Sequence, residues 1–355
     1  MFGGEKRLIG LDIGSHSVKA CVLKPAKKGW KLVKYGVREL PSECIVDGAI
    51  MNGAAVSEVI TELLAEIKPK LKGCATSISG NSVIIKIIQV PFMTAETLRE
   101  SIQFEAEQYV PFDINDVNID FEILSKEADS QGKMDVLLVA AKRDMVNDYA
   151  TVIAEAGYAC EVVEHDAFSI ENMFCANYEL AEGEIVALVD VGAAVTNLNV
   201  LKSGRSVFTR DAAIGGNLLT EEIQKQLNVS YSEAEAFKIG KRADEASDEV
   251  IPQEVESIIA GVGEQIVTEI QKSVDYFIGQ ATDETISKIY LSGGASQTPG
   301  LVRLLQERLS IPCEFVNPFN SIIYSEKEFD AAALERDAAQ MSVSVGLAMR
   351  RVGDK

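Results

Sequence analysis

"IGLDIGSHSVKACVL", Ile9 to Leu23, reads as a β-strand, a tight turn and a second strand. Ile9, Leu11 and Ile13 alternate up to Gly14, and the apolar pattern resumes at Val18. Asp12 stands at the strand end and Lys19 just past the turn. Two readings of this tip are open. In the first, Gly14 supplies an unusual backbone angle among solvated polar residues. In the second, backbone N–H groups of a small-residue turn cradle a phosphate, Lys19 adds charge, and Asp12 orients the waters of a cation.

The same grammar returns in "EIVALVDVGAAVTNLNVLKSGRSVFTRD", Glu184 to Asp211: apolar strand, Asp-x-Gly, small residues, strand, turn, strand. Asp190 falls under Asp12 and Gly192 under Gly14, with the second loop about one residue shorter. Two β-β-β units, each followed by helices, predict two similar α/β domains facing each other, with one phosphate loop from each side. A third piece, "IYLSGGASQTPGLVRLLQERL" (Ile289 to Leu309), is a short strand ending in Ser292-Gly293-Gly294-Ala295, with a helix from about Pro299. Gly-Gly lets backbone approach a ligand closely, and a helix N-terminus adds positive dipole character.

The 355 residues imply two or more domains, and 47% apolar content suffices for sizeable cores. A formal charge of −20, with 54 acidic against 34 basic residues, argues against nucleic acid as a partner and fits an acidic cytoplasmic protein. The six cysteines are scattered without a C-x-x-C pair and read as reduced, buried small apolar residues. With His16 and His165 the only histidines, histidine-based metal sites and Ser-His-Asp triads are poor bets. The N-terminal "MFGGEKRLIG" lacks the apolar run of a signal peptide, and no segment reaches the about 18 apolar residues of a membrane helix. The C-terminal "GLAMRRVGDK" is too short and weakly amphipathic for a membrane-surface helix, so membrane service would come through a partner.

The two hairpins and the Ser-Gly-Gly turn, in this order, resemble the actin-like ATPase superfamily: phosphate hairpin one from Asp12 to Lys19, phosphate hairpin two from Asp190 to Asn197, adenosine loop from Leu291 to Gly300. Within it, "IQFEAEQYVPFDI" (Ile102 to Ile114), "RDAAIGGNLLT" (Arg210 to Thr220) and "AEAFKIG" (Ala234 to Gly240) resemble the PilM family of type IV pilus machines, related to the division protein FtsA. The resemblance implies an α/β actin-like ATPase fold, two ribonuclease-H-like domains around a nucleotide cleft, with an insert subdomain, IC, of the FtsA and PilM type. It places subdomain IA at 1–84 with 157–181 and 341–355, IC at 85–156, IIA at 182–213 with 285–340, and IIB at 214–284.

The insert reads as strand "VIIKIIQV", helix Ala95 to Tyr109, strands "VNIDFEIL" and "MDVLLVAAK", then a helix from Asp144 to Glu155. Over 85–156 it holds fourteen Asp or Glu and six Lys or Arg, either a solvated face or a docking site for a basic peptide. "EHDAFSIENMFCANYEL", from Glu164, reads as the helix crossing between domains, and one helix from about Ala332 to Arg351 as the return crossing. "GKRADEASDEV" reads as a charged linker. After Pro252 a long helix presents Val255, Ile258, Ile259, Val262, Ile266, Ile270, Val274 and Phe277 on one face as core.

Asp12 and Asp190 are strand-end caps or, at equivalent places of two repeats, positions for Mg²⁺ held through water. The resemblance implies that Lys19 meets the β- or γ-phosphate of ATP, as the matching lysine does in actin. Gly14, Ser15, Ser17, Gly192, Ala193 and Thr196 then surround the phosphates, Ser15, Ser17 and Thr196 offering hydroxyls. Gly215 and Gly216 precede a helix facing the nucleotide, and Gly293, Gly294 and Ala295 meet the adenosine. His16 reads as a solvent-facing loop residue. Ser230-x-x-Glu233 is a capping-box signature. Glu235 and Lys238, three apart, form an exposed ion pair or, as the resemblance implies, touch the ribose hydroxyls and flank the adenine. Glu164 and Asp166 are the candidates for orienting the attacking water. Neither reproduces the actin glutamine, which predicts ATP binding with, at most, slow turnover.

The function implied is an ATP-binding cytoplasmic adaptor of pilus biogenesis and twitching motility. It would bind the N-terminal tail of a PilN-like inner-membrane protein between IA and IC. The rival readings are an FtsA-like division or filament-forming protein, with self-association, and a sugar or acetate kinase. FtsA ends in an amphipathic helix not seen before Lys355, and no stretch carries a kinase's second pocket with its catalytic Asp.

Overall fold

A computed structural model describes residues 7–125, 127–239, 253–280 and 284–354. The linker 240–250 lies outside the described residues.

The first repeat is β1 (Ile9–Ile13), β2 (Ser17–Pro25) and β3 (Trp30–Glu39), an antiparallel meander. After the short pair β4 (Ile45–Val46) and β5 (Ala49–Ile50) come α1 (Gly53–Ile67) and β6 (Gly73–Ile78), which joins β1 in parallel. The insert consists of β7 (Val83–Pro91), α2 (Ala95–Ala106), β8 (Val117–Ile123) and β9 (Lys133–Lys142). α3 (Arg143–Glu155) leads to β10 (Ala159–His165), parallel to β6, and to α4 (Asp166–Asn177). The second repeat is β11 (Ile185–Val191), β12 (Thr196–Lys202) and β13 (Arg205–Ala212). It is followed by α5 (Gly216–Leu227), α6 (Tyr231–Lys238), α7 (Gln253–Gln280), β14 (Lys288–Ser292), α8 (Leu301–Leu309) and β15 (Cys313–Phe315). The chain ends with α9 (Ala331–Asp337) and α10 (Ser342–Leu347).

The sheets repeat each other strand for strand. One runs β3-β2-β1-β6-β10 and the other β13-β12-β11-β14-β15, in each case a meander extended by two parallel strands. The registers correct one expectation: the second loop is not shorter. Asp12 pairs with Lys19 and Asp190 with Asn197, the same separation, so Asn197 is the counterpart of Lys19.

β1 turns Ile9, Leu11 and Ile13 onto α1 and α3, in one core with Val56, Ile60 and Leu63. β11 is buried on both faces, as its apolar run from Ile185 to Val189 requires. Ile185, Ala187 and Val189 pack against α7, whose predicted stripe is buried throughout. Val186 and Leu188 face a third core built with α4 (Ile170, Met173, Phe174), α10 (Val343, Val345, Leu347) and first-sheet residues Cys21, Leu23 and Ala75. α4 and α10 are therefore clamped between the two domains.

The return crossing is not one continuous helix. α9 gives way to a 3₁₀ turn, Ala338–Met341, before α10. α10 lies so close to its neighbours that a Cβ on Gly346 would sit 1.7 Å from the Ser169 carbonyl oxygen. One on Gly10 would sit 2.1 Å from that of Ser344.

The insert forms its own three-stranded sheet, β7-β9-β8, with α2 packing Leu98, Ile102 and Ala106 onto Val90, Val136 and Leu138. α3, expected in the insert, instead sends Met145, Tyr149, Val152 and Ile153 into the first-domain core. The six cysteines are free, but only Cys21, Cys44 and Cys74 are buried, and Cys175 is exposed.

Candidate functional site

The two hairpin tips and the Ser-Gly-Gly turn converge on one cleft of about 1060 Å³ between the domains. From the first domain come Asp12, Gly14, Ser15, His16, Ser17 and Lys19, and from β6 and α4 come Ser77 and Asp166. The second domain supplies Asp190, Gly192, Ala193, Asn197, Glu235, Lys238, Gly293, Gly294 and Ala295.

At the base, Lys19 Nζ lies 3.2 Å from an Asp12 carboxylate oxygen. Burial raises Asp12 above the ordinary carboxylate range; Lys19 opposes this and Asp166 adds to it. Asp190 accepts a 2.6 Å hydrogen bond from the Ser292 hydroxyl, yet burial, with Asp166 and Asp12 nearby, pushes it up to about 7. Three carboxylates thus face one lysine, and the base of the cleft is short of positive charge. Among the described residues no three His, Cys, Asp or Glu side chains are grouped to hold a metal directly. A cation that fits here keeps its waters, as Mg²⁺ does.

The glycines show where a ligand fits. A Cβ on Gly293 would meet the Val191 carbonyl oxygen at 2.3 Å, so this residue, at φ +88°, is demanded by the backbone. A Cβ on Gly294 meets only Gln340 Cβ, at 4.0 Å, and otherwise enters the open cleft. Gly215 and Gly216 do not line the cleft. They lie behind hairpin two, where the Gly216 N–H donates to the Gly192 carbonyl at 2.9 Å.

Further in, Lys238 Nζ donates to Glu235 at 2.5 Å and to the Thr220 hydroxyl at 3.0 Å, and Thr220 also bonds Glu235. This is a nearly buried trio rather than an exposed pair; burial lowers Lys238 while Glu235 opposes. The capping box at Ser230 and Glu233 forms. His16 is not solvent-facing: it is half-buried, with Nδ1 3.5 Å from the Tyr231 hydroxyl across the cleft, and burial lowers its pKa.

Two further candidates, besides Gly215 and Gly216, fall outside the cleft. The Thr196 hydroxyl is 2.7 Å from the Ile214 carbonyl, to which it donates. Glu164 is the next-to-last residue of strand β10 rather than the start of the helix, and alternation turns it to Arg350, 2.8 Å away. Burial raises Glu164, Arg350 opposing. Asp166, the first residue of α4, does face the cleft.

Sequence reading missed Asn197, His165 and Asp211. Asn197 could have been found by aligning the repeats without a gap. His165 caps α4 through Nδ1, which accepts the Ala167 N–H at 3.2 Å, and its Nε2 lies 3.0 Å from Asp211. These two, with Gly80, Asn81, Val83 to Lys86, Tyr109, Pro111, Thr209 and Arg210, line a second cavity of about 390 Å³. It lies among the first domain, insert strand β7 and edge strand β13.

A profile of the family described as "Type IV pilus assembly protein PilM" matches residues 10–352. The chain belongs to the PilM family. Its structure is similar to that of a solved "PilM-PilN type IV pilus biogenesis complex", with TM-score 0.86, 26% identity and 98% of each chain covered. The cell division protein FtsA of Enterococcus hirae is 24% identical over 351 residues, covering 87% of this chain and 78% of that protein. The ethanolamine utilization protein EutJ of Carboxydothermus hydrogenoformans (TM-score 0.57, 14% identity, 96% and 89% covered) shares the fold. So does ADP-bound MreB5 of Spiroplasma citri (TM-score 0.51, 13% identity, 96% and 94% covered). The PilM-family chain therefore has the actin-like two-domain fold expected of it. Among the described residues no helix is long and apolar enough to cross a membrane.

Proposed function

We propose that this PilM-family protein binds ATP with Mg²⁺ in the interdomain cleft and the N-terminal tail of a PilN-like inner-membrane protein in the second cavity. The observation that carries the first half is the pair of Asp-x-Gly hairpins meeting across one cleft whose base lacks positive charge. Gly14, Ser15, Ser17, Gly192 and Ala193 surround the phosphates, with Lys19 as their cation and Asp12 and Asp190 holding the waters of the metal. Bound Mg²⁺ supplies charge neutralisation between phosphates and carboxylates. Glu235 and Lys238 flank the nucleoside opposite Gly293, Gly294 and Ala295. Of the two water-orienting candidates, Asp166 lines the cleft while Glu164 pairs with Arg350, and neither reproduces the actin glutamine, which supports slow turnover.

The second half is supported by the likeness to the PilM–PilN complex and by the cavity among the insert, the first domain and strand β13. Its walls join apolar surface (Val83, Ile84, Ile85, Pro111) to Lys86 and Arg210, and β7 and β13 are both edge strands. An extended segment with apolar anchors fits such a groove. The acidic surface of the insert contributes orientation and on-rate. The protein would thus work on the cytoplasmic side of the inner membrane, held there by its partner, in pilus biogenesis and twitching motility.

Calorimetric titration with ATP and Mg²⁺ tests the cleft. Wild type binds, and Asp12→Ala and Gly294→Val each weaken binding at least about tenfold, the loss of one charge-assisted contact or of the backbone approach. Unchanged affinity in both variants rules the site out. Phosphate release near ten per second, an ordinary enzyme turnover, contradicts slow hydrolysis.

A further inference from the structure

One side chain in the wall of the smaller cavity is bonded to a residue that lines the larger cleft. Asp211, on β13, has a carboxylate that is 14% exposed. Its Oδ1 accepts from the Asn197 side-chain amide at 2.7 Å, and Asn197 lines the larger cleft. Its Oδ2 accepts the Gly80 N–H at 2.6 Å and lies 3.0 Å from His165 Nε2. Gly80, His165 and Asp211 all line the smaller cavity. Because His165 Nδ1 accepts the Ala167 N–H, the ring hydrogen is assigned to Nε2, aimed at Asp211. One carboxylate therefore gathers three donors, two from the first domain and one from the second.

This arrangement is stiff. Asn197 and Asp211 are opposite residues of the β12–β13 ladder, so a shift of hairpin two carries both. The donors on the first-domain side are an amide in the segment leading into β7 and an imidazole locked as the cap of α4. Withdrawing the carboxylate leaves both without an acceptor in a nearly dry site, which is unfavourable enough that the first-domain segment follows. That segment is a wall of the smaller cavity.

We infer that Asp211 couples the two cavities, so that nucleotide in the cleft changes the affinity of the smaller cavity for its peptide. By linkage, the peptide changes nucleotide affinity by the same factor. The inference rests on the reading that the cleft takes a nucleotide and the cavity a partner tail, and its test separates the two.

The full chain is titrated by calorimetry with a non-hydrolysable ATP analogue plus Mg²⁺, and with a synthetic N-terminal peptide of PilN from the same source, each alone and each with the other saturating. If either ligand alone fails to bind wild type, the functional reading falls, and the coupling with it. When both bind, the peptide Kd changes at least about fivefold on saturation with the nucleotide analogue, and the reciprocal titration returns the same factor. Asp211→Ala brings that factor to one. Asp211→Asn, which keeps the side chain's shape but replaces one acceptor oxygen by an amide donor, lowers the factor as well and carries the test if Asp211→Ala fails to fold. A wild-type factor of one, or folded variants that keep the wild-type factor, overturns the inference.

Discussion

At the scale of single residues, the chain's chemistry is set by carboxylates in places that do not favour their charge. Asp12 and Asp190 are such residues, and the calorimetric losses expected of Asp12→Ala and Gly294→Val address the cleft directly. Glu171, on α4, is a case away from the cleft. Burial pushes it up to about 7, against hydrogen bonds from the Ser206 N–H, at 3.3 Å, and the Asn199 side chain; Glu164 and Glu122 add repulsion. The folded state thus holds a proton that the unfolded chain releases above its ordinary value of 4.5. Stability therefore falls as pH rises from about 4.5 through 7, with a slope of at most about 1.4 kcal/mol per pH unit from this group. Glu171→Gln should flatten that slope and raise stability at pH 8 relative to wild type, as read by urea denaturation at pH 5 and pH 8. An unaltered slope would show that Glu171 is not its source.

At the scale of elements, the repeat was legible because each unit carries its own signature: alternation, Asp-x-Gly, a second strand, a turn. The long stripe of α7 was legible for the same reason, since one face at helical spacing needs no knowledge of its partner. The return crossing was not. Its apolar residues fit a single helix, but close packing breaks it at Ala338–Met341, and α10 is fixed by the absence of a side chain at Gly346. Gly346→Ala should therefore cost about 3 kcal/mol in urea denaturation, the upper end of the usual range of about 1–3 kcal/mol for overpacking, because the atom met is backbone. A loss below about 1 kcal/mol would mean that α10 and α4 can separate freely.

At the scale of the whole molecule, the insert is attached like a module. The Lys142 N–H donates to the Ser82 carbonyl at 3.0 Å, so the two ends of the excursion through β7, α2, β8 and β9 stand side by side. Joining Ser82 to Arg143 through a short Gly-Ser link should leave a folded protein that binds ATP and has lost the PilN tail. Extending the deletion through residue 156 also removes Tyr149, Val152 and Ile153 from the first-domain core and should prevent folding. Circular dichroism, ATP calorimetry and tail capture read the three outcomes. Full-affinity tail capture by the shorter deletion would move the docking site off the insert.

The sequence by itself determined the two hairpins, the glycine turn, the α7 core stripe and the net charge of −20. Each is a pattern within a few residues or a sum over the chain. Tertiary structure alone decided which neighbours those patterns meet. Glu164 and His165 are adjacent in the chain, yet strand alternation sends one to Arg350 and the other to Asp211, forty-six positions from His165. α3 reads as part of the insert until its apolar face is seen on the first sheet. Asn197 stands as the counterpart of Lys19 only once strand register is fixed. Local periodicity states which faces are apolar; pairing across long separations states what each face meets, and no short window of sequence contains that.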